Sequence, residues 1–407
     1  MKRYGLLLTA CLAALLAGCD VAGVETFRPA GVELELELEP AGGAEIDQVR
    51  VRITASDIAE EIWAELSVGD GSAAGRVECP AGYNRLIEVD VYDAGSVAFT
   101  AAGRVDLAEE ETRTVSLTAA AVDDPRLQVR GRRGAFGDRD WQYRLPTGVA
   151  AGGGGVYAVD PEAGSLTGYD AEGAVLYSVG PSEVDGYAPA TVTYLAAADT
   201  VLAADPVNVR LDTFSAADGG HSGSWELPDG FGEPGGLAYW SGEQRALVID
   251  GTNSRLHLFD LDGAHLDDES LEDGAGQTLD NPVGLAVLED DGYGIILAVS
   301  DALVGEVYLY YYDGALEPLG RATGGDLQQP LGLTRAGGYL IVTDATSAEL
   351  AVYDYLDGAA THLGDYGAPG ERLGAFTLPS GVSWGDGLLW IADSGNHRLQ
   401  YLELPGR

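Results

Sequence analysis

The chain is 407 residues long, with 65 acidic against 23 basic residues and a net charge of −42. A surface of that sign repels phosphate backbones and anionic headgroups, which excludes nucleic-acid binding and electrostatic adhesion to a bilayer. The length exceeds one core of ordinary size, so two or more domains are expected.

Lys2 and Arg3 precede an apolar stretch from Leu6 to Ala17 that closes on Leu16-Ala17-Gly18-Cys19. A charged start, a short apolar centre and small residues at its end make a secretory signal over 1–18, too short to span a bilayer. The terminal Leu-Ala-Gly-Cys resembles a bacterial lipobox. That resemblance implies cleavage before Cys19, a diacylglycerol on its sulfur, a lipidated tether over 19–30, and export to the cell envelope with the lipid holding the membrane. Asp20 acts as an inner-membrane retention cue in enteric bacteria, a rule that does not travel between lineages, so the choice of membrane stays open. Loss of Lys2 and Arg3 moves the net charge from −42 to −44 and leaves no lysine. Cys11 leaves with the signal and Cys19 carries the lipid, so Cys79 is left without a partner and reads as a small buried hydrophobe.

From Val32 the chain alternates: Val32, Leu34, Leu36 and Leu38 on one face, Glu33, Glu35, Glu37 and Glu39 on the other. Period two is a half-buried strand. Val49-Arg50-Val51-Arg52-Ile53 repeats it, with the arginines outward and expected opposite those glutamates. Further strands read at 62–68, 74–78, 85–92, 97–105 and 112–118, which predicts a β-sandwich over 31–121. The stretch from Pro80-Ala81-Gly82-Tyr83 to Thr112-Arg113-Thr114-Val115 resembles the immunoglobulin-like modules that open many bacterial surface lipoproteins. The resemblance implies a spacer.

After Asp123-Asp124-Pro125 a pattern returns six times. Each unit opens with a proline and a small-apolar strand, as in Pro146-Thr147-Gly148-Val149 and Pro379-Ser380-Gly381-Val382. An apolar run ending in an acid follows, as in Leu389-Trp390-Ile391-Ala392-Asp393, and then a third apolar strand. The prolines fall at 146, 189, 234, 282, 330 and 379, a period of 43 to 49 residues. Four short strands with their connections fill that period, and a four-stranded sheet cannot cover its own faces, so six of them predict a six-bladed β-propeller over 126–403. Leu166, Leu211, Leu256, Val307, Leu350 and Leu399 recur in the third strand. Tyr169, Phe214, Phe259, Tyr310, Tyr353 and Leu402 follow three residues later, and both sets read as core between blades. Only five residues follow Leu402, so Leu127-Gln128-Val129-Arg130 is expected to supply the last blade's outer strand and close the ring. Gly134-Ala135-Phe136 echoes Gly374-Ala375-Phe376 ahead of the sixth repeat.

Three repeats share a spacing after the acid: Asp205-x-x-Asn208-x-Arg210, Asp250-x-x-Asn253-x-Arg255 and Asp393-x-x-Asn396-x-Arg398. The Asp can accept turn amides, the Asn tolerates a left-handed backbone, and the Arg is expected to return across the hairpin to the acid. Repeat five keeps Asp344, and repeat four has Ser300 at the acid position with Asp301 beside it. Gly395-Asn396-His397-Arg398-Leu399-Gln400 is similar to the signature of the NHL-repeat family. The resemblance covers 126–403 and implies a six-bladed propeller in a family of scaffolds, nucleic-acid binders and a few enzymes.

Asp160, Asp205, Asp250, Asp301, Asp344 and Asp393, with Asn208, Asn253, Asn396 and His397, recur near one face. They define the candidate ligand site at the channel mouth, and calcium is the cation such a ring would take. The competing reading is that each acid holds its own turn. His257 in a third strand, His265 after it, and His221, His362 and His397 elsewhere stand at different phases, which argues against a three-histidine zinc site. Asp260-Leu261-Asp262-Gly263 is a hairpin, since its acid spacing stops short of a calcium loop. The function expected is a lipid-anchored, monomeric, non-enzymatic propeller scaffold for a protein or glycan partner. The alternative is a divalent-metal-dependent propeller lyase or lactone hydrolase with its site at the channel mouth.

An acidic, lysine-free surface is typical of proteins working in high salt. Screening lengths shrink from about 10 Å at 0.1 M to about 3 Å at 1 M salt, which relieves self-repulsion. The melting temperature should therefore rise distinctly between dilute buffer and molar sodium chloride. A melting temperature unchanged between about 0.05 and 2 M would remove the high-salt reading.

Overall fold

The computed structural model describes residues 29–38, 46–69, 72–93, 95–122 and 128–404. The signal, Cys19 and the tether up to residue 28 lie outside the described residues. Seven strands come first: β1 (Pro29–Leu38), β2 (Ile46–Thr54), β3 (Ile62–Gly69), β4 (Ser72–Pro80), β5 (Gly82–Asp93), β6 (Ser96–Leu107) and β7 (Thr112–Ala121). They form a closed barrel in the order β1-β4-β3-β2-β5-β6-β7, with β7 returning parallel to β1. The two stacked sheets expected from the sequence are joined because two strands change partner along their length. β3 pairs with β2 over Ile62–Leu66 and then with β4 over Ser67–Gly69. β7 pairs with β1 up to Ala119 and then with β6 through Ala120 and Ala121. Strands that switch sheets make the corners of the ring.

The barrel core is the alternating set anticipated: Val32, Val49, Val51, Ile53, Ile87, Val89 and Val91, with Cys79 also buried among them. Burial raises the pKa of the Cys79 thiol and keeps it in the protonated, apolar form. The arginines of β2 do not oppose the glutamates of β1, because β1 pairs with β4 and β7. Arg50 instead lies 3.9 Å from Glu65. Arg52, on the outer face of its strand, is only 1% exposed.

Six four-stranded antiparallel sheets follow, each running from an inner strand outward. The inner strands are Gly148–Gly152, Thr191–Leu195, Pro234–Trp240, Pro282–Asp290, Pro330–Ala336 and Pro379–Gly385. Each touches its neighbours on both sides, and the last touches the first. The small residue third from the proline makes this closeness possible. A Cβ on Gly236 would stand 2.6 Å from Val283 O, and one on Gly381 would stand 2.7 Å from Thr147 O. Gly284 and Gly332 meet Leu331 O and Ser380 O of the next blade in the same way. Hydroxyls fasten these seams: Thr147 donates to Ala190 O at 2.8 Å, Thr191 to Gly235 O at 2.6 Å, and Ser380 to Thr147 O at 2.8 Å. The recurrent third-strand leucines and aromatics are all buried between blades, as their spacing predicts.

The ring closes through β8 (Gln128–Arg133), which pairs with the last third strand, Arg398–Glu403. The N-terminal segment therefore supplies the sixth blade's outer strand, which runs past Arg130 to Arg133. The echo between Gly134-Ala135-Phe136 and Gly374-Ala375-Phe376 does not hold in space. Phe376 is buried, whereas Phe136 is half exposed and rests on His397 with ring centroids 4.7 Å apart. The buried aromatic that matches Phe376 is Tyr143, three residues before Pro146 as Phe376 is three before Pro379.

β8 is held from its other side by the barrel. Glu88 of β5 is 1% exposed and sits among three buried guanidiniums. Arg52 Nη1 donates to Glu88 Oε2 at 2.7 Å, Arg398 Nη1 to Oε1 at 2.6 Å, and Arg132 Nε of β8 lies 3.1 Å from Oε1. Arg132 also makes a two-pronged contact with Asp90, and Arg52 reaches Gly134 O and Glu61. Burial alone would raise the Glu88 pKa, but Arg132, Arg52 and Arg398 outweigh it and bring it down to about 2. The N-terminal module is thus clamped to the closure of the ring.

Two outcomes follow from this clamp. Glu88→Gln leaves three buried cations short of one countercharge and should cost about 3–5 kcal/mol, read as a lower denaturation midpoint for barrel and propeller together. The Glu88 pKa falls from 4.5 unfolded to about 2 folded, so its contribution is complete above pH 4.5 and drains away as pH drops towards 2. Wild type should lose stability across that window, and Glu88→Gln should lose less. Parallel pH profiles would contradict the assignment.

Candidate functional site

The six acids stand at the ends of the second strands: Gly155–Asp160, Thr200–Asp205, Arg245–Asp250, Ile295–Asp301, Tyr339–Asp344 and Leu388–Asp393. None is more than 2% exposed. A buried carboxylate has to be fully hydrogen bonded, and these are. Asp160 accepts from the amides of Arg144 and Leu145 in the connection that enters its blade, and from those of Glu162 and Ala163 in its own turn. Asp301 does the same with Asp280, Asn281, Leu303 and Val304. Asp344 does so with Gln328, Gln329, Thr346 and Ser347. Each acid ties the start of the inner strand to the turn between the second and third strands.

Where the sequence supplies an Asn three residues on, its side chain completes the set. Asn208 Nδ2 bridges Asp205 and Gly186 O, Asn253 Nδ2 bridges Asp250 and Gly230 O, and Asn396 Nδ2 bridges Asp393 and Gly370 O. The arginine returns to the acid in two blades, from Arg210 to Asp205 at 3.1 Å and from Arg398 to Asp393 at 2.8 Å. In the third blade it does not: Arg255 Nε donates to Asp268 at 2.5 Å. Burial raises the Asp393 pKa, opposed by Arg398, the Thr377 amide, Asn396 and Gln400. His397 takes the left-handed conformation that ends this turn, and its Nδ1 lies 2.5 Å from Arg144 O.

Ser300 is not at the acid position; Asp301 is, paired with Pro282 as Asp250 is with Pro234. Ser300 matches Thr343 of the fifth blade. Ser300 Oγ accepts from the Gly284 amide at 2.9 Å and donates to Leu331 O at 2.7 Å, a further seam bond between blades.

The axis holds a cavity of about 260 Å³ lined by all six inner strands. Its wall is glycine backbone with aliphatic and hydroxyl side chains, including Val149, Val192, Leu237, Leu285, Leu333 and Val382. The six acids are not part of that wall. Their oxygens point into turns rather than converging on one point.

The structure also brings together side chains that the sequence kept apart. His257, in the third strand Arg255–Phe259, and His265, at the start of the outer strand His265–Ser270, approach to 3.1 Å between Nδ1 and Nε2. Asp268 joins them. The turn Asp260-Leu261-Asp262-Gly263 is the hairpin expected, with Asp260 accepting the amides of Asp262 and Ala264. Hairpin pairing across that turn is the signal that could have found the cluster.

The NHL repeat family model matches residues 376–401, from the connection into the sixth blade through its third strand. No curated protein matches the chain in sequence. Among solved structures it is similar to a protein of unknown function from Bacteroides thetaiotaomicron, with 17% identity and a TM-score of 0.54 over 89% of this chain and 92% of that one. It is also similar to a gluconolactonase from Xanthomonas campestris, with 18% identity and a TM-score of 0.51 over 70% of this chain and 91% of that one. At these identities the likeness is one of fold. The chain is an NHL-like six-bladed propeller with a seven-stranded barrel before it.

If the acids are fasteners, Asp205→Ala orphans the Ala188 and Asn208 amides and removes one partner from the Asn208 and Arg210 side chains, which keep Gly186 O and Asp185 O. At about 1–3 kcal/mol for each group left unsatisfied, the variant should lose at least about 2–4 kcal/mol, measured by urea unfolding. Asp212, buried beside Arg210, limits the loss by keeping that arginine paired. A stability loss below about 0.5 kcal/mol would contradict the role, since that is the range of ordinary surface substitutions.

Proposed function

We propose that this is a lipid-anchored envelope protein whose propeller is a non-enzymatic scaffold for a protein or glycan partner. The observation that carries the reading is a set of apolar side chains on turns that the buried acids hold rigid. Val207 and Leu303, each two residues after its blade's acid, are 73% and 71% exposed, and Val304 is exposed beside Leu303. The Leu303 and Val304 amides are bound by Asp301, so the backbone that presents these side chains is fixed before any partner arrives. Preorganised loops lose little entropy on binding, which favours recognition. On the same edge of the propeller, the connections entering the first and sixth blades are engaged by the barrel: Trp141 and Gln142 donate to Ala59 O and Ala55 O, and Thr100 donates to Leu373 O. The turns of the second and fourth blades carry the open apolar tips.

The aliphatic and glycine wall of the axial cavity supports this reading over a metal-dependent lyase or lactone hydrolase, whose cation needs oxygen ligands converging in the channel. The barrel serves as an immunoglobulin-like spacer fixed to the ring. Pro29 is ten residue steps beyond Cys19. Fully extended they span at most about 36 Å, so a lipid on Cys19 keeps the barrel close to the bilayer. The charge of −42 directs the scaffold away from nucleic acids.

Cys19→Ala should leave the melting transition unchanged and move the protein from the membrane fraction to the soluble one, with loss of labelling by a palmitate analogue. An unlabelled, soluble wild type would end the lipoprotein reading. Val207→Asp combined with Leu303→Asp should keep the fold and lose the partner that in-cell cross-linking attaches to wild type. Equal recovery by the double variant would remove this face as the binding surface.

A further inference from the structure

The cluster at the hairpin of the third blade lies away from the axis, and its chemistry is that of a metal site. His257 is 4% exposed, and His265 and Asp268 are partly open to solvent. One ligand atom from each residue lies within 4.8 Å of the others. His257 Nδ1 and His265 Nε2 are 3.1 Å apart, and His265 Nε2 is 3.9 Å from Asp268 Oδ1. Two ligands at 2.0–2.1 Å from a tetrahedral zinc stand about 3.4 Å apart, so the two imidazoles are already spaced for an ion and the Asp268 carboxylate has to move inward to join them.

The surroundings prepare each ligand. His257 Nε2 is a buried atom without a hydrogen-bond partner, and the acid facing it is Asp250, 4.0 Å away. The Asp250 charge, too distant to accept a hydrogen bond, favours a proton on Nε2 and leaves the lone pair on Nδ1, the nitrogen turned towards His265. Asp268 is fixed by Arg255, whose guanidinium holds Oδ2 and leaves Oδ1 on the histidine side. Phe231 and Phe259 wall the pair, with ring centroids 4.7 Å from His257 and 5.3 Å from His265. Arg255, unlike Arg210 and Arg398, bonds no acid at its strand's turn and fixes the ligand Asp268 instead.

We propose that His257, His265 and Asp268 bind one divalent transition-metal ion of the zinc class at the rim of the third blade, with Arg255 positioning Asp268. Two imidazoles and a carboxylate select such an ion over calcium, which takes all-oxygen sets. The fourth position faces solvent past His265 and Asp268. It is open to water or to a carboxylate or imidazole of a bound molecule.

The test uses the full-length protein in detergent, titrated with Co²⁺ and then Zn²⁺. One equivalent of Co²⁺ should give the visible absorption of a tetrahedral site, one equivalent of Zn²⁺ should abolish it, and Zn²⁺ should raise the melting temperature. His265→Ala, at a partly exposed position, should melt as wild type without metal and lose both the absorption and the Zn²⁺ shift. Asp268→Asn should weaken Zn²⁺ binding, and Arg255→Gln should weaken it by about 10–100-fold, as outer-shell changes do. If His265→Ala fails to fold, Asp268→Asn carries the same reading. No tetrahedral absorption in a folded wild type, or absorption that survives both His265→Ala and Asp268→Asn, would overturn the proposal.

Discussion

A carboxylate buried in protein has to find a donor for each of its lone pairs, and this propeller uses that demand once in every blade. At Asp160, Asp301 and Asp344 the donors are main-chain amides from two separate segments: the connection arriving from the previous blade and the turn that leaves the second strand. At Asp205, Asp250 and Asp393 an asparagine side chain takes some of those places. The acid thereby sets where each inner strand begins, and with it the alignment of proline, glycine and hydroxyl that lets neighbouring backbones meet around the axis. Six of the chain's 65 acidic residues are spent inside in this way.

Two features of the molecule depend on that register. The inner strands are close enough for Gly236, Gly284, Gly332 and Gly381 to touch the next blade's carbonyl, which leaves the axis with an apolar wall. The turns on the same edge are stiff enough to carry Val207 and Leu303 into solvent without collapse. Closure has its own device. β8 is joined to the last blade by main-chain pairing and to the barrel by the Glu88 cluster, so the module before the propeller acts as a lock on the ring.

Much of this was legible in the sequence. The seven strands of the module, the six repeats, the third-strand core and closure by the segment around Gln128 all follow from local period and count, which survive without knowledge of neighbours. What was hidden depends on contacts between distant segments. Arg52 alternates outward as a surface residue should, and only docking of the propeller buries it against Glu88. In the fourth blade the inner strand carries an extra residue at a bulge between Val287 and Glu289, which shifts the count from Pro282 so that Ser300 reads as the acid where Asp301 stands. His257 and His265 were separated by strand phase, yet pairing of the third and outer strands, shifted by a bulge between Leu258 and Phe259, sets them together. The sandwich became a barrel because β3 and β7 change partners midway, which no single strand's pattern records.

The central claim is that the acids act as main-chain fasteners, and hydrogen exchange on Asp301→Ala tests it most directly. The account predicts that the amides of Asp280, Asn281, Leu303 and Val304 lose protection together, while the strands Pro282–Asp290 and Ile295–Asp301 keep theirs. It also predicts that wild-type protection at these four amides is the same in calcium and in chelator. Unchanged exchange at the four amides in the variant, or wild-type protection that requires calcium, would contradict the account and return the acids to the role of a cation site.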